Sequence, residues 1–379
     1  MNSFKHLFGI IVAAFTLPLC GCVGGNTGGG STGGGTGPGN TTTIYVAGYQ
    51  YGNADHNLSY YWTITPSGTV MTPLPVSNGM IEPEALSIAV SGSDVYVAGV
   101  EFNSNTGKIP VYWKNGTATA LPIPSGAVEG EANGIAVSGG NVYIVGTVEV
   151  IPNNIFVQEA VFWKNGTITI IPLSVGATNS VGTAITISGN SVYTAGYQWN
   201  PGDYGEPPFP EAFYTVNGIL TAIPSPNWDY SEEPNSIAVS GSDIYMAGSQ
   251  GETQYDSAVY WKNGIFNTLP FTSGYVAAQA TSIAVSGSNV YVVGTQDSLG
   301  AYWVNGVANI LYPNGVNSAA NAIAVSGNDF YTAGSTLDVN SKFQMPCYWI
   351  DGGYPIVLDD GAENDSMNTI ATSITIVTQ

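Results

Sequence analysis

The sequence predicts an all-β protein: a seven-bladed β-propeller with four antiparallel strands per blade. Three observations lead there. A hairpin string recurs, SIAVSGSDVYVAG at 87–99, SIAVSGSDIYMAG at 236–248 and SIAVSGSNVYVVG at 282–294. An aromatic pair and a tight-turn dipeptide recur behind it. The fold begins on one half of the hairpin and finishes on the other.

Residues 1–21 read as a targeting segment. Lys5 and His6 precede an apolar run, LFGIIVAAFTLPL, too short to span a bilayer comfortably. The run ends in Leu19-Cys20-Gly21-Cys22. This resembles the bacterial lipobox, and the resemblance implies cleavage after Gly21 and lipidation of Cys22. Each buried CH₂ of an acyl chain contributes about 0.8 kcal/mol, so several chains on one cysteine anchor a protein stably. Position 23 is valine. In the lipoprotein family an aspartate there often signals inner-membrane retention, so the resemblance points to the outer membrane or cell surface. Residues 22–41 continue as a Gly/Ser/Thr-rich tether with a reach of roughly 25 Å. The propeller is expected over 42–379.

Seven VYVAG-like strands centre on Tyr45, Tyr96, Tyr143, Tyr193, Tyr245, Tyr291 and Tyr331. Each is followed by an aromatic pair: Tyr61-Trp62, Tyr112-Trp113, Phe162-Trp163, Phe213-Tyr214, Tyr260-Trp261, Tyr302-Trp303 and Tyr348-Trp349. Asn-Gly dipeptides follow at 115–116, 165–166, 217–218, 263–264 and 305–306, and Asp-Gly at 351–352. These accept positive φ at both central positions, as a type I′ hairpin requires. The first copy has Pro66-Ser67-Gly68 instead. A fourth strand such as TATALPI closes each unit, and an IAVSG strand opens the next.

One four-stranded sheet with two apolar faces cannot bury both alone, whereas sheets packed radially can. Ile88 and Val90 point to one side of their strand and Ala89 to the other. Small residues recur at that last position (Ala136, Thr186, Ala238, Ala284, Ala324, Thr375), where sheets crowd toward an axis. The fold starts with a lone VYVAG strand at 44–48 and ends with a lone strand, SITIV, at 373–377. The last strand is therefore expected to become the innermost strand of the first blade. Closure of this kind leaves no open sheet edge between the ends.

The pattern IAV-x-G-x-VYV-x-G resembles the first hairpin of NHL-type and SBBP-type propeller repeats, over residues 44–377. Serine stands where those families often carry aspartate after IAV, and the basic surface of RNA-binding NHL proteins is missing. The resemblance implies the fold and no particular activity.

Composition narrows the function. Net charge is −20, charged residues make up 8% of the chain, and the six cations are all lysines. Nucleic-acid binding relies on Lys and Arg neutralising phosphates, so it is excluded as a partner class. Without arginine there is no bidentate fork for phosphate or carboxylate substrates. The chain has two histidines, His6 and His56. His56 is the only one in the mature chain, which removes a histidine-rich transition-metal site. No nucleophile motif accompanies it to form a Ser-His-Asp triad. Cys347 aligns with Val111, Val161 and Val259 and reads as a buried, inert thiol. No cofactor is expected, and the chain is expected to be a monomer.

Two groups of candidate binding residues lie on the face opposite the short turns. All but four of the 26 acidic residues belong to that face or its strand ends; the four are Asp94, Asp243, Asp329 and Asp351. Lys114, Lys164 and Lys262 belong to the short-turn face, so the molecule is expected to be electrically two-sided. The first group recurs ahead of the inner strands: Glu84, Glu131, Glu233 and Gln279, with Asn133, Asn235 and Asn321 two residues on from that place. Oxygen-rich rings of this kind suit Ca²⁺ or a sugar's hydroxyls, or else bond backbone between blades. The second group is aromatic: Trp199, Tyr204, Phe209, Trp228 and Tyr230, beside Asp203, Glu206, Glu211, Asp229, Glu232 and Glu233. Aromatic platforms among carboxylates suit glycan or protein recognition, or form a proline-stiffened cap. The function expected is a lipid-anchored, non-enzymatic binding propeller. A hydrolase or lyase using paired carboxylates and a purely structural surface protein are the alternatives.

Burial of Ile374 and Ile376 is worth roughly 1.5–3 kcal/mol each. Deleting residues 371–379 is therefore expected to lower the melting temperature of the whole domain in a single cooperative transition. An unchanged melting temperature would contradict circular closure.

Overall fold

The strands pair as seven four-stranded antiparallel sheets. The computed structural model describes residues 41–51, 58–103, 105–200, 209–225, 231–251, 256–311, 316–359 and 367–378, all within one unit, Asn40–Gln379. Cys22, His56, Tyr204, Trp228 and Tyr230 lie outside the described residues, as do the signal segment and tether.

Blade 1 joins the two ends of the chain. Its inner strand is Asn368–Thr378, and Thr42–Tyr51, Leu58–Thr65 and Gly68–Leu74 follow outward. Ile44 pairs with Ile376 and Val46 with Ile374, so the C-terminal strand closes the ring as the half-hairpins at the two ends require. Ile374 is buried and Ile376 only half-buried. The inner strands of blades 2 to 7 are Ile81–Ser91, Ala127–Ser138, Asn179–Ser188, Ser231–Ser240, Ala278–Ser286 and Ser318–Ser326. Each packs against the inner strands on either side, and that of blade 1 lies between those of blades 7 and 2.

The tight turns take the expected backbone. Asn115, Asn165, Asn217, Asn263, Asn305 and Asp351 have φ of 49–52°, and the following glycines are also positive. Each turn side chain continues the ladder. The Oδ1 of Asn115 accepts the N–H of Val95 at 2.8 Å, and that of Asp351 accepts the N–H of Phe330 at 2.9 Å. Outside the turns, every inner strand carries a β-bulge near the axis, on Leu86, Asn133, Thr183, Asn235, Thr281, Asn321 and Thr372, and the strands of blades 2 and 3 have a second irregularity, between Ile81 and Glu84 and between Ala127 and Glu129. A bulge takes its residue out of the ladder and re-aims the side chain.

The bulges explain the last glycine of VYVAG. At Gly99 a Cβ would stand 1.9 Å from the carbonyl oxygen of Glu84, just ahead of the bulge. At Gly294 it would stand 1.9 Å from that of Gln279. The backbones approach too closely for any side chain.

Between blades the core is aromatic. Trp62, Trp113, Trp163, Trp261, Trp303 and Trp349 are fully buried. Several reach back into the preceding blade: Trp113 Nε1 donates to the Pro75 carbonyl at 2.9 Å, and Trp163 Nε1 to that of Pro122 at 2.8 Å. Blade 4 departs from the expected alignment. Tyr214, not Phe213, pairs with Ala195, and the tryptophan position is Thr215, bonded to Thr194 at 2.7 Å. Phe213 sits two residues earlier, in the register of Val111. Its ring lies against Gly196, as the tryptophan rings of blades 2 and 3 lie against Gly99 and Gly146. The same space is filled from a neighbouring position, which a repeat alignment by residue type cannot detect. Cys347 is fully buried in the register of Val111, Val161 and Val259, and burial holds its thiol well above the ordinary range.

Replacing Gly294 by Ala is expected to destabilise the domain by about 1–3 kcal/mol, through forced displacement of the bulge. Urea unfolding checks this, with Gly306→Ala in an exposed turn as a smaller, local comparison.

Candidate functional site

The axis of the ring is a polar cavity of about 160 Å³. The bulge residues line it, along with the residues that follow them, Ser87, Ser236, Ser282 and Ser373 among them. Six of the seven bulge side chains bond the carbonyl just ahead of the next blade's bulge. Asn133 donates to Gly182 at 2.8 Å, Asn235 to Ala280 at 2.9 Å and Asn321 to Ala371 at 2.8 Å. Thr183 donates to Pro234 at 2.7 Å, Thr281 to Ala320 at 2.7 Å and Thr372 to Ala85 at 2.8 Å. Leu86 interrupts the circuit between blades 2 and 3. There, Ser87 Oγ accepts the Ile135 N–H at 3.2 Å. Asn133, Asn235 and Asn321 line the channel, and their amide N–H groups hold the blade seams.

Glu84, Glu131, Glu233 and Gln279 form the next layer, each two residues ahead of its bulge. Glu131 is ion-paired and hydrogen-bonded with Lys108 of blade 2. Gln279 donates to Asp256 at 2.6 Å. Burial pushes the Glu84 carboxyl up to about 7; Lys108 opposes the shift, and Glu131 and Glu82 add to it. Two tyrosines unmarked by the sequence reading enter this layer. Burial, then the charges of Glu84 and Tyr51, hold the Tyr49 hydroxyl well above its ordinary range. Burial, then Glu233 and Glu131, do the same to Tyr197. The layer thus combines carboxylates, one lysine and two phenols, with most of the charge negative.

The aromatic group is only partly within the described residues. Trp199 is half-buried and packs edge-on against Tyr197 with centroids 5.1 Å apart. Phe209 is also half-buried and pairs with Asn200. Beside them Glu211 accepts from Gln198 at 3.2 Å and from Asn200. Glu232 is fully buried between blades 4 and 5, bonded by Ser225 and Gln250; burial, with Glu211 adding to it, pushes its carboxyl up to about 7.

Sequence reasoning also missed an apolar surface on this face. In blade 3 the connection through Ile151, Ile155 and Phe156 is exposed, next to exposed Val128 on the inner strand. Val175, in the connection to blade 4, is fully exposed. The opposite face is built from short turns. There Lys114 pairs with Asp94 at 2.8 Å over the Tyr96 ring, and Lys262 pairs with Asp243 at 2.9 Å over that of Tyr245. Lys164 lies over Tyr143.

No family model matches the chain, and no curated protein matches it. Solved structures do. The chain is similar to the β-propeller domain of the Trilobed protease from Pyrococcus furiosus, at 10% identity and TM-score 0.47, over 85% of this chain and 93% of that one. It is also similar to a puromycin-hydrolyzing peptidase of Mycobacterium tuberculosis, at 11% identity and TM-score 0.48. That match covers 83% of this chain and 52% of the peptidase. The likeness is one of fold.

Buried carboxylates make stability depend on pH. Glu101 is fully buried, accepts the Ser77 N–H at 2.8 Å, and is raised mainly by burial. Gln198 and Gln296 do the same work in their blades, accepting from Ser174 and Thr272. A carboxyl whose folded pKa is raised keeps its proton to a higher pH in the fold than in the unfolded chain. Stability is then highest below the unfolded value, near 4.3, and falls as pH rises toward and through the folded one. Glu101→Gln and Glu232→Gln should remove that loss. Urea midpoints of both variants are expected to exceed wild type at pH 8, on the order of 2 kcal/mol for Glu232→Gln, and to converge with it at pH 4.

Proposed function

We propose that this chain is a lipid-anchored, extracytoplasmic propeller that binds a glycan or protein, without catalysis, through its long-loop face. The observation that carries this reading is the contrast between the two faces. One is short turns with local ion pairs. The other combines partly buried aromatics, exposed Ile155 and Phe156, and a layer of glutamates. Exposed apolar residues grouped among acids on a rigid scaffold are the usual composition of a recognition surface. The lipobox-like Leu19-Cys20-Gly21-Cys22 supports anchoring through Cys22 and an outer-membrane or cell-surface address. The hairpin's likeness to NHL-type and SBBP-type repeats supports a scaffold role.

The hydrolase reading rests on paired carboxylates with one held protonated. Glu232 meets the protonation requirement, but it is fully buried and cannot touch a substrate. Glu84 beside Glu131 at the channel mouth is the pair that remains.

A glycan array probed with wild type, Trp199→Ala, Trp228→Ala and Phe156→Ser tests the glycan form of the proposal. Binding that drops at least tenfold in one of these variants is expected. Absence of signal, or signal unchanged by all three, would remove it. Glycan cleavage that disappears in Glu84→Gln would replace binding with hydrolysis.

A further inference from the structure

The channel lining is unusual in which of its hydrogen-bonding groups are already engaged. Thr183, Thr281 and Thr372 each have a single hydroxyl proton, and each gives it to backbone carbonyls. Each hydroxyl oxygen keeps lone pairs. Asn133, Asn235 and Asn321 each direct Nδ2 to a carbonyl of the next blade. Their Oδ1 atoms accept nothing from the described protein, yet they are not sealed from solvent. All six residues line the axial cavity. The asparagines belong to blades 3, 5 and 7 and the threonines to blades 4, 6 and 1, so acceptors alternate around the axis with Leu86 of blade 2 as the one apolar member. The seam bonds thereby orient acceptors inward. Ser87, Ser236, Ser282 and Ser373 accept N–H groups and keep one proton each, so acceptors outnumber donors in the lining and a positively charged guest suits it.

We propose that the axial cavity binds a partly hydrated calcium ion, held directly or through its waters by the Oδ1 atoms of Asn133, Asn235 and Asn321 and the hydroxyl oxygens of Thr183, Thr281 and Thr372. Ca²⁺ takes six to eight oxygen ligands, amide carbonyls and waters among them, in flexible geometry. The cavity, at about 160 Å³, has room for an ion that keeps part of its water shell. Mg²⁺ demands tighter octahedral geometry and loses its waters reluctantly, so this ring favours the larger ion. Glu84, Glu131 and Glu233, at the adjacent layer, draw cations toward the opening. The site does not depend on the long-loop face recognising a glycan or protein.

The test is thermal unfolding of the mature chain, stripped with chelator and titrated with Ca²⁺, with Mg²⁺ and with K⁺ at matched ionic strength. A saturable rise of about 2–5 °C with Ca²⁺ is expected at roughly a hundred times Kd, larger than with either comparator. Ala322→Leu adds bulk at the cavity wall, at a residue that also packs against the core between blades 7 and 1; once its circular dichroism matches wild type, it should lose the Ca²⁺-dependent rise. Crystals soaked in Tb³⁺ should show an anomalous peak on the axis at the level of Asn133. A rise equal in K⁺, a rise retained by folded Ala322→Leu, no rise at all, or a peak only elsewhere would each overturn the proposal. Should Ala322→Leu fail to fold, the position of the anomalous peak decides.

Discussion

The bulge in each inner strand is the constraint on which the rest of the ring depends. One extra residue per blade breaks the ladder next to the axis and turns a side chain out of the sheet. In six of the seven blades that side chain then reaches the next blade's backbone, which ties the sheets into a hydrogen-bonded series broken at Leu86. The cost falls on the facing strand. The bulge pushes a carbonyl to within 1.9–2.1 Å of where a Cβ would stand, so glycine is obligatory there in all seven blades. A motif glycine, a lining asparagine and a seam bond are three consequences of one backbone irregularity.

Away from the axis a different interaction takes over. The tryptophans of the third strands bury their rings between blades and tie several seams with an indole N–H to a carbonyl. Hydrophobic burial supplies the larger share of stability here, because each ring removes 150–250 Å² from water. Blade 4 shows how much latitude that term allows. Phe213 supplies the ring from two residues away, and Thr194 and Thr215 satisfy each other where Trp and its partner stand elsewhere. The space stays occupied by a ring while the chemistry changes.

The acidic face divides charges by access. Glu131 meets Lys108, whereas Glu101 and Glu232 are buried in blade seams among polar neighbours without a cation beside them. The repeats reveal what such a seam position asks for. It bonds a loop N–H through Gln198 and Gln296, and through Glu101, which takes the place of a glutamine. In blade 3 the matching loop residue is Pro124, which has no N–H, and the strand position is Val148. Loop and strand residues covary because a buried polar group needs its partner.

Much of this was legible in the chain. Period-two strands, Asn-Gly turns and complementary half-hairpins at the two ends determined seven blades and their closure, because these are local patterns repeated until only one arrangement pairs every edge. The residues around the axis were visible as a repeat position, Asn133 and Asn235 plainly and Thr183 and Thr281 only once the bulges aligned them. Tertiary structure alone decided the remainder. It placed Tyr49 and Tyr197 beside glutamates from other blades, shifted Phe213 into a tryptophan's space, and turned asparagine N–H groups into seams. Those outcomes depend on distances between residues some fifty positions apart, and sequence spacing carries no information about which side of a neighbouring blade a side chain will meet.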